Sequence, residues 1–123
     1  MPTNNTDQAY ARLKYNLGLC ARARALIFGT AMVCEALRSR KKPTLVLEAG
    51  DTSDNTHKRL TDKCHFYNVA HIRLPISGGD LGAAVGKTST VAAVAITSEQ
   101  LCKPVLAALQ VCNQSSPSVD TKD

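Results

Sequence analysis

The sequence predicts an α/β protein, a three-layer α/β/α sandwich with a mixed sheet of about four strands. Helical and strand patterns alternate along all 123 residues, apolar residues make up 44% of the chain, and no repeat or linker divides it. This apolar content is sufficient for one hydrophobic core. We therefore expect one domain at residues 1–112. The polar segment NQSSPSVDTKD predicts a disordered tail at residues 113–123.

The first half of the chain alternates two helical patterns with two short apolar runs. Residues 8–23 place apolar side chains at helical spacing and predict an amphipathic helix. The run ALIF, ended by Gly29, predicts the first strand. We expect Thr30 to cap a second helix that Pro43 closes. The aliphatic segment TLVLEA then predicts the second strand.

The second half continues the alternation. The segment GDTSD predicts a turn that caps a third helix with an apolar face. Next come a third strand in VAHIRLP, one or two helical turns in GGDLGAAVG, and a fourth strand in VAAVAIT. We expect Ser98 to cap a last helix running towards Val111, in which Pro104 introduces a kink or shifts the start.

Composition argues against a membrane protein and against a metal centre. The longest apolar run is far shorter than the ~18 residues of a membrane span. The polar start MPTNNTDQAY does not resemble a signal peptide, so we expect a cytoplasmic protein without a membrane partner. The five scattered cysteines are interpreted as small buried thiols. Cys64 and His65, with His57 and His71, match no zinc spacing, so no metal site is expected.

The segment LGAAVGKTST suggests a phosphate-binding P-loop but does not fit that motif. Gly86, Lys87 and Thr88 supply its end, whereas its first glycine would fall on Leu81. A P-loop also opens a helix, and the residues that follow here predict a strand. We therefore expect no nucleotide partner.

The positive charge is concentrated in the front of the chain. Residues 1–42 hold eight Lys and Arg against two acids, whereas the remainder holds seven against eight. A basic front half indicates a polyanionic partner, or else a solvated basic face. The aromatic content of 4%, with no Trp, disfavours single-strand binding on a platform of stacked rings.

No set of residues indicates an enzyme. The sequence contains no convincing carboxylate pair, nucleophile with its base, or cofactor loop. Asp51 and Asp54 flank a turn, where capping is their ordinary role. We expect no catalytic residues and no cofactor.

Several segments, taken in order, resemble the YlxQ-type bacterial proteins of the ribosomal protein L7Ae/L30e superfamily. They are LGLCARA, FGTAMVCEALRSRK, LVLEAGDTSDNTHKRLTDKCHFYNV, LGAAVGK and VAAVAIT, within about residues 9–110. The most specific pieces are NTHKRLTDKC-x-x-Y-N-V and LG-x-x-x-GK. This resemblance implies an α/β/α sandwich that binds kinked RNA.

The resemblance also implies where RNA is held. In this superfamily RNA lies at one edge, against the glycine turn that opens the second helix and the loop before the last strand. A helix N-terminus and a lysine there both suit phosphate. Two arginines near the turn add positive charge. The candidate RNA-binding residues are Gly29, Thr30, Lys87, Thr88 and Ser89, with Arg24 and Arg38 as the flanking cations.

The glycine turn departs from the pattern of the kink-turn binders. Those proteins carry Gly-Thr-Asn-Glu-x-x-Lys, whereas this chain has Ala31, Met32 and Glu35 where they have Asn, Glu and Lys. The amide, carboxylate and ammonium that meet the RNA are therefore absent, and Glu35 reverses a charge. We expect kink-turn recognition to be weakened.

Two functional hypotheses follow. The first is a monomeric, cytoplasmic, non-catalytic RNA-binding protein associated with the ribosome or another structured RNA. The second is a protein-interaction module that keeps the scaffold but has lost RNA binding. In that case Ala31 and Met32 would offer an exposed apolar spot, and a large apolar patch there would favour the second hypothesis.

Overall fold

The alternating patterns fold into five helices and four strands over residues 3–114, the part of the chain that the computed structural model describes. Each helix and strand expected from the sequence is present. The last helix runs to Gln114, two residues into the predicted tail, and residues 115–123 of that tail lie outside the described part. The elements are α1 (Thr3–Arg22), β1 (Leu26–Phe28), α2 (Thr30–Arg38), β2 (Leu45–Glu48), α3 (Asp54–Tyr67), β3 (Ala70–Arg73), α4 (Gly78–Ala84), β4 (Ala93–Ile96) and α5 (Glu99–Gln114).

The strands form one mixed sheet in the order β1-β4-β2-β3. β4 is antiparallel to both of its neighbours, whereas β2 and β3 are parallel and are joined by the crossover helix α3. Ile96 of β4 pairs with Leu26 and Leu45, and Ala93 pairs with Glu48. These pairs mark the two ends of the strands, which we call the Ile96 end and the Ala93 end of the sheet.

Strand side chains alternate between two cores, one on each face of the sheet. Leu45 and Leu47 belong to the core formed with α1, α4 and α5, whereas Val46 between them belongs to the core formed with α2 and α3. β4 alternates in the same way, with its alanines on the α2–α3 side. The three-layer α/β/α sandwich is therefore confirmed. In the described part of the chain, no helix combines the length and hydropathy that a membrane span needs.

The second helix differs from the prediction at both of its ends. Its N-cap is Gly29 and not Thr30, which is already the first helical residue. The helix ends at Arg38, several residues before Pro43, which was expected to end it. It ends there because Ser39 is extended and donates its hydroxyl to the Ala36 carbonyl at 2.7 Å. Local side-chain hydrogen bonding stops the helix before the proline does.

The last helix begins where the sequence predicts. Ser98 Oγ accepts the Leu101 N–H at 3.3 Å, as an N-cap does. Pro104 lies inside α5, which begins at Glu99, so it does not shift the start of the helix.

All five cysteines are free and buried, as the sequence predicts. Burial raises the pKa of Cys64 to about 11, and it also raises the pKa values of Cys20, Cys102 and Cys112. These four thiols therefore stay protonated at neutral pH and are poor nucleophiles. Within the described residues, no group of three or more His, Cys, Asp or Glu side chains is arranged to hold a metal ion.

The strand β2 ends in a fully buried carboxylate, Glu48. It accepts hydrogen bonds from Thr52 Oγ1, from His57 Nδ1 at 2.9 Å and from His71 Nε2 at 2.8 Å. Arg73 Nε lies 3.7 Å from its Oε2. Burial alone would raise the pKa of Glu48, but the hydrogen bonds from Thr52 and the two histidines outweigh it and lower that pKa. The carboxylate therefore stays ionised inside the fold.

We predict that acid weakens the fold through Glu48. An unfolded Glu has a pKa of about 4.3, and the folded value is lower. The carboxylate therefore stabilises the fold fully above that pH, and this contribution is lost as the pH falls through the folded pKa. Glu48→Gln should lower the free energy of unfolding at neutral pH by about 1–3 kcal/mol. It should also flatten the acid dependence. Urea unfolding between neutral and acidic pH measures both effects.

Asp62→Asn is the matched control for Glu48→Gln. Asp62 is exposed and pairs with Lys58 at 3.1 Å on the surface of α3, where such pairs contribute little. An acid dependence in Glu48→Gln as steep as that of the wild type would contradict the role given to Glu48.

Candidate nucleic-acid interface

A glycine turn opens α2 at the Ala93 end of the sheet. Gly29 has φ +90° and ψ 148°, a conformation that strains any residue with a Cβ. Its N–H donates to the Ala93 carbonyl at 2.8 Å, and its own carbonyl accepts the Val33 N–H at 2.9 Å. No side chain caps the helix. The amides of its first turn therefore have no side-chain acceptor.

The loop that joins α4 to β4 packs directly on the backbone of α4. A Cβ at Gly82 would overlap the carbonyl oxygen of Ser89, and a Cβ at Gly78 would stand 3.1 Å from the Val91 carbonyl oxygen. Two hydrogen bonds fix the loop: Lys87 N–H to the Gly82 carbonyl at 2.8 Å, and Val91 N–H to the Gly78 carbonyl at 3.0 Å. Glycine at both positions of the helix allows this close approach.

The glycine turn and this loop meet in an open cleft of about 410 Å³. Phe28, Gly29 and Thr30 form one wall, and Lys87 with residues 89–92 forms the other. Lys87 Nζ lies 4.3 Å from the centroid of the Phe28 ring, within cation–π range. The cleft therefore presents a helix N-terminus, an ammonium group and hydroxyl side chains to one open space. These are groups that bind phosphate.

Four of the seven candidate residues line this cleft: Gly29, Thr30, Lys87 and Ser89. Thr88 is exposed in the same loop, between two of them in sequence. The loop leads into strand β4 and does not open a helix. The structure therefore confirms the strand predicted in VAAVAIT, which was the argument against a P-loop.

The two candidate arginines lie apart from the cleft. Arg24 precedes β1 at the Ile96 end and adopts a left-handed conformation with φ +58°. Arg38 is the last residue of α2, a helix of nine residues that starts at the cleft and runs away from it. Its Nη1 lies 3.9 Å from Glu35 Oε2. Neither arginine is among the described residues that line the cleft, so closeness to the turn in sequence does not bring them to it.

The cleft is also lined by Phe28, Thr90, Val91 and Ala92, which the sequence-based set did not include. Phe28 lies under Lys87, and its sequence signal is an aromatic residue directly before the glycine turn. Arg22 lines a separate cavity of about 250 Å³ together with Val85 and Gly86, and Gly86 directly precedes Lys87. This cavity lies between the C-terminal ends of α1 and α4, which are far apart in the chain, so no local pattern reveals it.

Comparison with known proteins gives consistent matches over most of the chain. The profile of the ribosomal protein L7Ae/L30e/S12e/Gadd45 family matches residues 11–106. The RNA-binding protein YlxQ of Bacillus subtilis (strain 168) is 36% identical over 93 residues, which cover 76% of this chain and 90% of that protein. The RNA-binding protein YlxQ of Enterococcus faecium is 33% identical over 75 residues, 61% of this chain and 71% of that protein.

A solved structure supports the fold. The Giardia lamblia 15.5kD RNA binding protein superimposes with a TM-score of 0.67 at 19% identity, over 89% of this chain and 91% of that one. At this identity the likeness concerns the architecture alone.

We predict that Gly82→Ala displaces the loop and that Gly79→Ala, in the same helix, does not. A Cβ at Gly79 would meet nothing closer than Ser77 Oγ at 3.8 Å. Overpacking should make Gly82→Ala less stable by about 1–3 kcal/mol. Gly79→Ala should be neutral or slightly more stable, because alanine favours a helix. Urea unfolding of both variants measures this, and equal stabilities would contradict the described packing.

Proposed function

The chain belongs to the ribosomal protein L7Ae/L30e/S12e/Gadd45 family, and on this premise we propose that it is a non-catalytic RNA-binding protein. The observation that carries the proposal is the cleft at the Ala93 end, where the start of α2 and Lys87 face one open space. The names of the two YlxQ relatives support it. We further propose that the protein acts as a cytoplasmic monomer on ribosomal or another structured RNA.

The proposed contacts in the cleft hold the sugar-phosphate backbone. The uncapped amides after Gly29 bind a phosphate oxygen, because a helix N-terminus offers both donors and a positive dipole. Lys87 supplies a full charge from the opposite wall. The hydroxyls of Thr30, Thr88 and Ser89 donate to phosphate or ribose oxygens. Such contacts position RNA without reading its bases.

The two arginines outside the cleft act on RNA that extends beyond it. Arg24 and Arg38 are both exposed and neutralise flanking phosphates in this proposal. Arg38 is only loosely engaged by Glu35, at 3.9 Å between two largely exposed side chains. A phosphate can therefore replace that carboxylate as its partner.

We propose that kink-turn recognition is weakened. Ala31, Met32 and Glu35 are all exposed on one side of α2, the side that starts beside the cleft. Neither Ala31 nor Met32 has a polar group for a base edge, and the Glu35 carboxylate repels phosphates. Shape and backbone charge therefore contribute more to binding than base-specific hydrogen bonds do.

One observation favours the second function, a protein-interaction module. Met32 is 58% exposed, and Ala31 beside it is exposed as well. A protein partner could cover this spot on the same scaffold. Two side chains are small against the few hundred Å² of apolar surface that mark an interface. For this reason we place RNA binding first.

We predict weak RNA binding that falls steeply with salt. With roughly three or four phosphate contacts, the slope of log affinity against log salt concentration should be about −2 to −4. Lys87→Ala should remove one contact and make the slope shallower by about 0.7–0.9. Fluorescence anisotropy with a kink-turn hairpin, between low and physiological salt, measures both slopes.

Arg12→Ala controls for net charge, because Arg12 is exposed on α1, in the other helical layer. Equal slopes for the two variants would show that Lys87 contributes bulk charge only. A flat salt response of the wild type, or no hairpin binding at low salt, would reject RNA binding in the cleft and favour the protein-interaction module.

We also predict that Glu35→Lys tightens hairpin binding about ten-fold. Reversing an exposed charge near phosphates should contribute roughly 1–2 kcal/mol after screening by salt. The measurement is the dissociation constant at a fixed salt concentration. Glu99→Lys, at the start of α5, makes the same change in net charge and is the control. A weaker complex with Glu35→Lys would mean that Glu35 orients Arg38 or accepts a hydrogen bond from RNA.

A further inference from the structure

Helix α3 presents an aromatic side chain to solvent that the cleft does not use. Phe66 is 78% exposed, and its ring meets the Tyr67 ring edge to face, with centroids 4.8 Å apart. Single exposed apolar side chains are common on protein surfaces. The groups around Phe66 therefore decide whether it has a role.

The surroundings of Phe66 are basic. Arg59 and Lys63 line an open cavity of about 430 Å³ together with Phe66 and Tyr67. Lys42 Nζ lies 5.0 Å from the centroid of the Tyr67 ring. We call these five residues the α3 surface. It combines three cations with two rings, and nucleic acids offer a partner for each, since phosphates pair with cations and bases stack on rings.

Few carboxylates oppose this charge. Asp62 lines the same cavity, but Lys58 Nζ binds its Oδ2 at 3.1 Å. The neighbouring segment 38–42 contains four basic residues and no acid, and Arg40 and Lys41 in it are exposed. The α3 surface and this segment therefore form a region of net positive charge.

The α3 surface is separate from the cleft. Lys42 leads into β2 and Tyr67 is followed by β3, and the first residues of these strands, Leu45 and Ala70, are paired at the Ile96 end. The cleft lies at the Ala93 end. β2 has four residues, so at about 3.3 Å per residue the two ends of the sheet lie about 10–13 Å apart. A second segment of the same RNA can therefore reach the α3 surface while the cleft holds the first.

We infer that the α3 surface is a second RNA contact, which takes an unpaired segment. Lys42, Arg59 and Lys63 neutralise its phosphates, and Phe66 stacks on one base. An unpaired segment fits because a ring reaches the face of a base only where that base is unstacked. One exposed ring holds one base, which agrees with the low aromatic content of the chain. This inference rests on the proposed function in taking RNA as the partner.

Two RNA probes separate the two sites in the full-length chain. One is a blunt kink-turn hairpin, and the other is an oligouridylate of about twelve nucleotides, within the range that one single-strand site covers. Phe66→Ala should weaken oligouridylate binding about ten-fold, the typical loss for one stacked base. Lys63→Ala should make the salt slope for oligouridylate shallower by about 0.7. Both variants should bind the hairpin as the wild type does.

Controls come from α1, in the other helical layer. Tyr15→Ala removes another exposed ring, and Arg12→Ala another exposed cation. Phe66→Tyr keeps a stacking ring and should keep the affinity. Urea unfolding checks that each variant is folded.

The outcomes distinguish this inference from the proposed function. Oligouridylate binding that is absent, or insensitive to Phe66→Ala, or equally reduced by Tyr15→Ala, overturns the second contact. If Lys87→Ala still weakens hairpin binding, the proposed function stands. Oligouridylate binding that depends on Phe66, with no hairpin binding, supports the α3 surface and rejects the cleft.

Discussion

The candidate site depends on one hydrogen bond, from the Gly29 N–H to the Ala93 carbonyl at 2.8 Å. It joins the N-cap of α2, directly after β1, to the first residue of β4, and so brings a helix start and a distant loop to one cleft. β4 is held in register by two cores, since a shift of one residue would turn Ala93 and Ala95 towards the wrong helical layer. The glycines of α4 then fix the loop against the other side of the cleft.

Charge is distributed unevenly between the two ends of the sheet. The cleft contains a single lysine, held over the Phe28 ring, whereas the helical layer of α2 and α3 carries a larger group of exposed cations near the Ile96 end. The buried carboxylate at the Ala93 end, Glu48, is surrounded by His57, His71 and Arg73. The Arg73 guanidinium, with Nε 3.7 Å from Oε2, offsets its negative charge. The cleft lysine and the exposed cations support the proposed binding of the RNA backbone by shape and charge.

The fold was largely predictable because each element carries its own periodicity, and the glycine turn and the loop before β4 were found through a resemblance in short motifs. The N-cap of α2 could not be predicted, because Gly29, with φ +90°, takes the place of the side-chain cap that was expected at Thr30. The positions of Arg24 and Arg38 could not be predicted either. Sequence distance from Gly29 is small for both, yet the strand and the helix carry them away from the cleft.

Contacts between distant segments left no local signal. The stacking of Lys87 on Phe28 and the hydrogen bonds from two histidines to Glu48 depend on strand order. The exposure of Phe66 likewise depends on which face of α3 the sheet buries. The sequence shows which face of a helix is buried only when its apolar residues lie on one side. In α3 the adjacent residues Phe66 and Tyr67 are both aromatic, and only Tyr67 is partly buried.

The most direct test of the account is an NMR titration of the 15N-labelled chain with a kink-turn hairpin at low salt. The account predicts that amide shifts concentrate at residues 29–32 and 87–91, the two walls of the cleft. Shifts confined to other surfaces, with both of these segments unchanged, would contradict the claim that the Ala93 end holds the RNA.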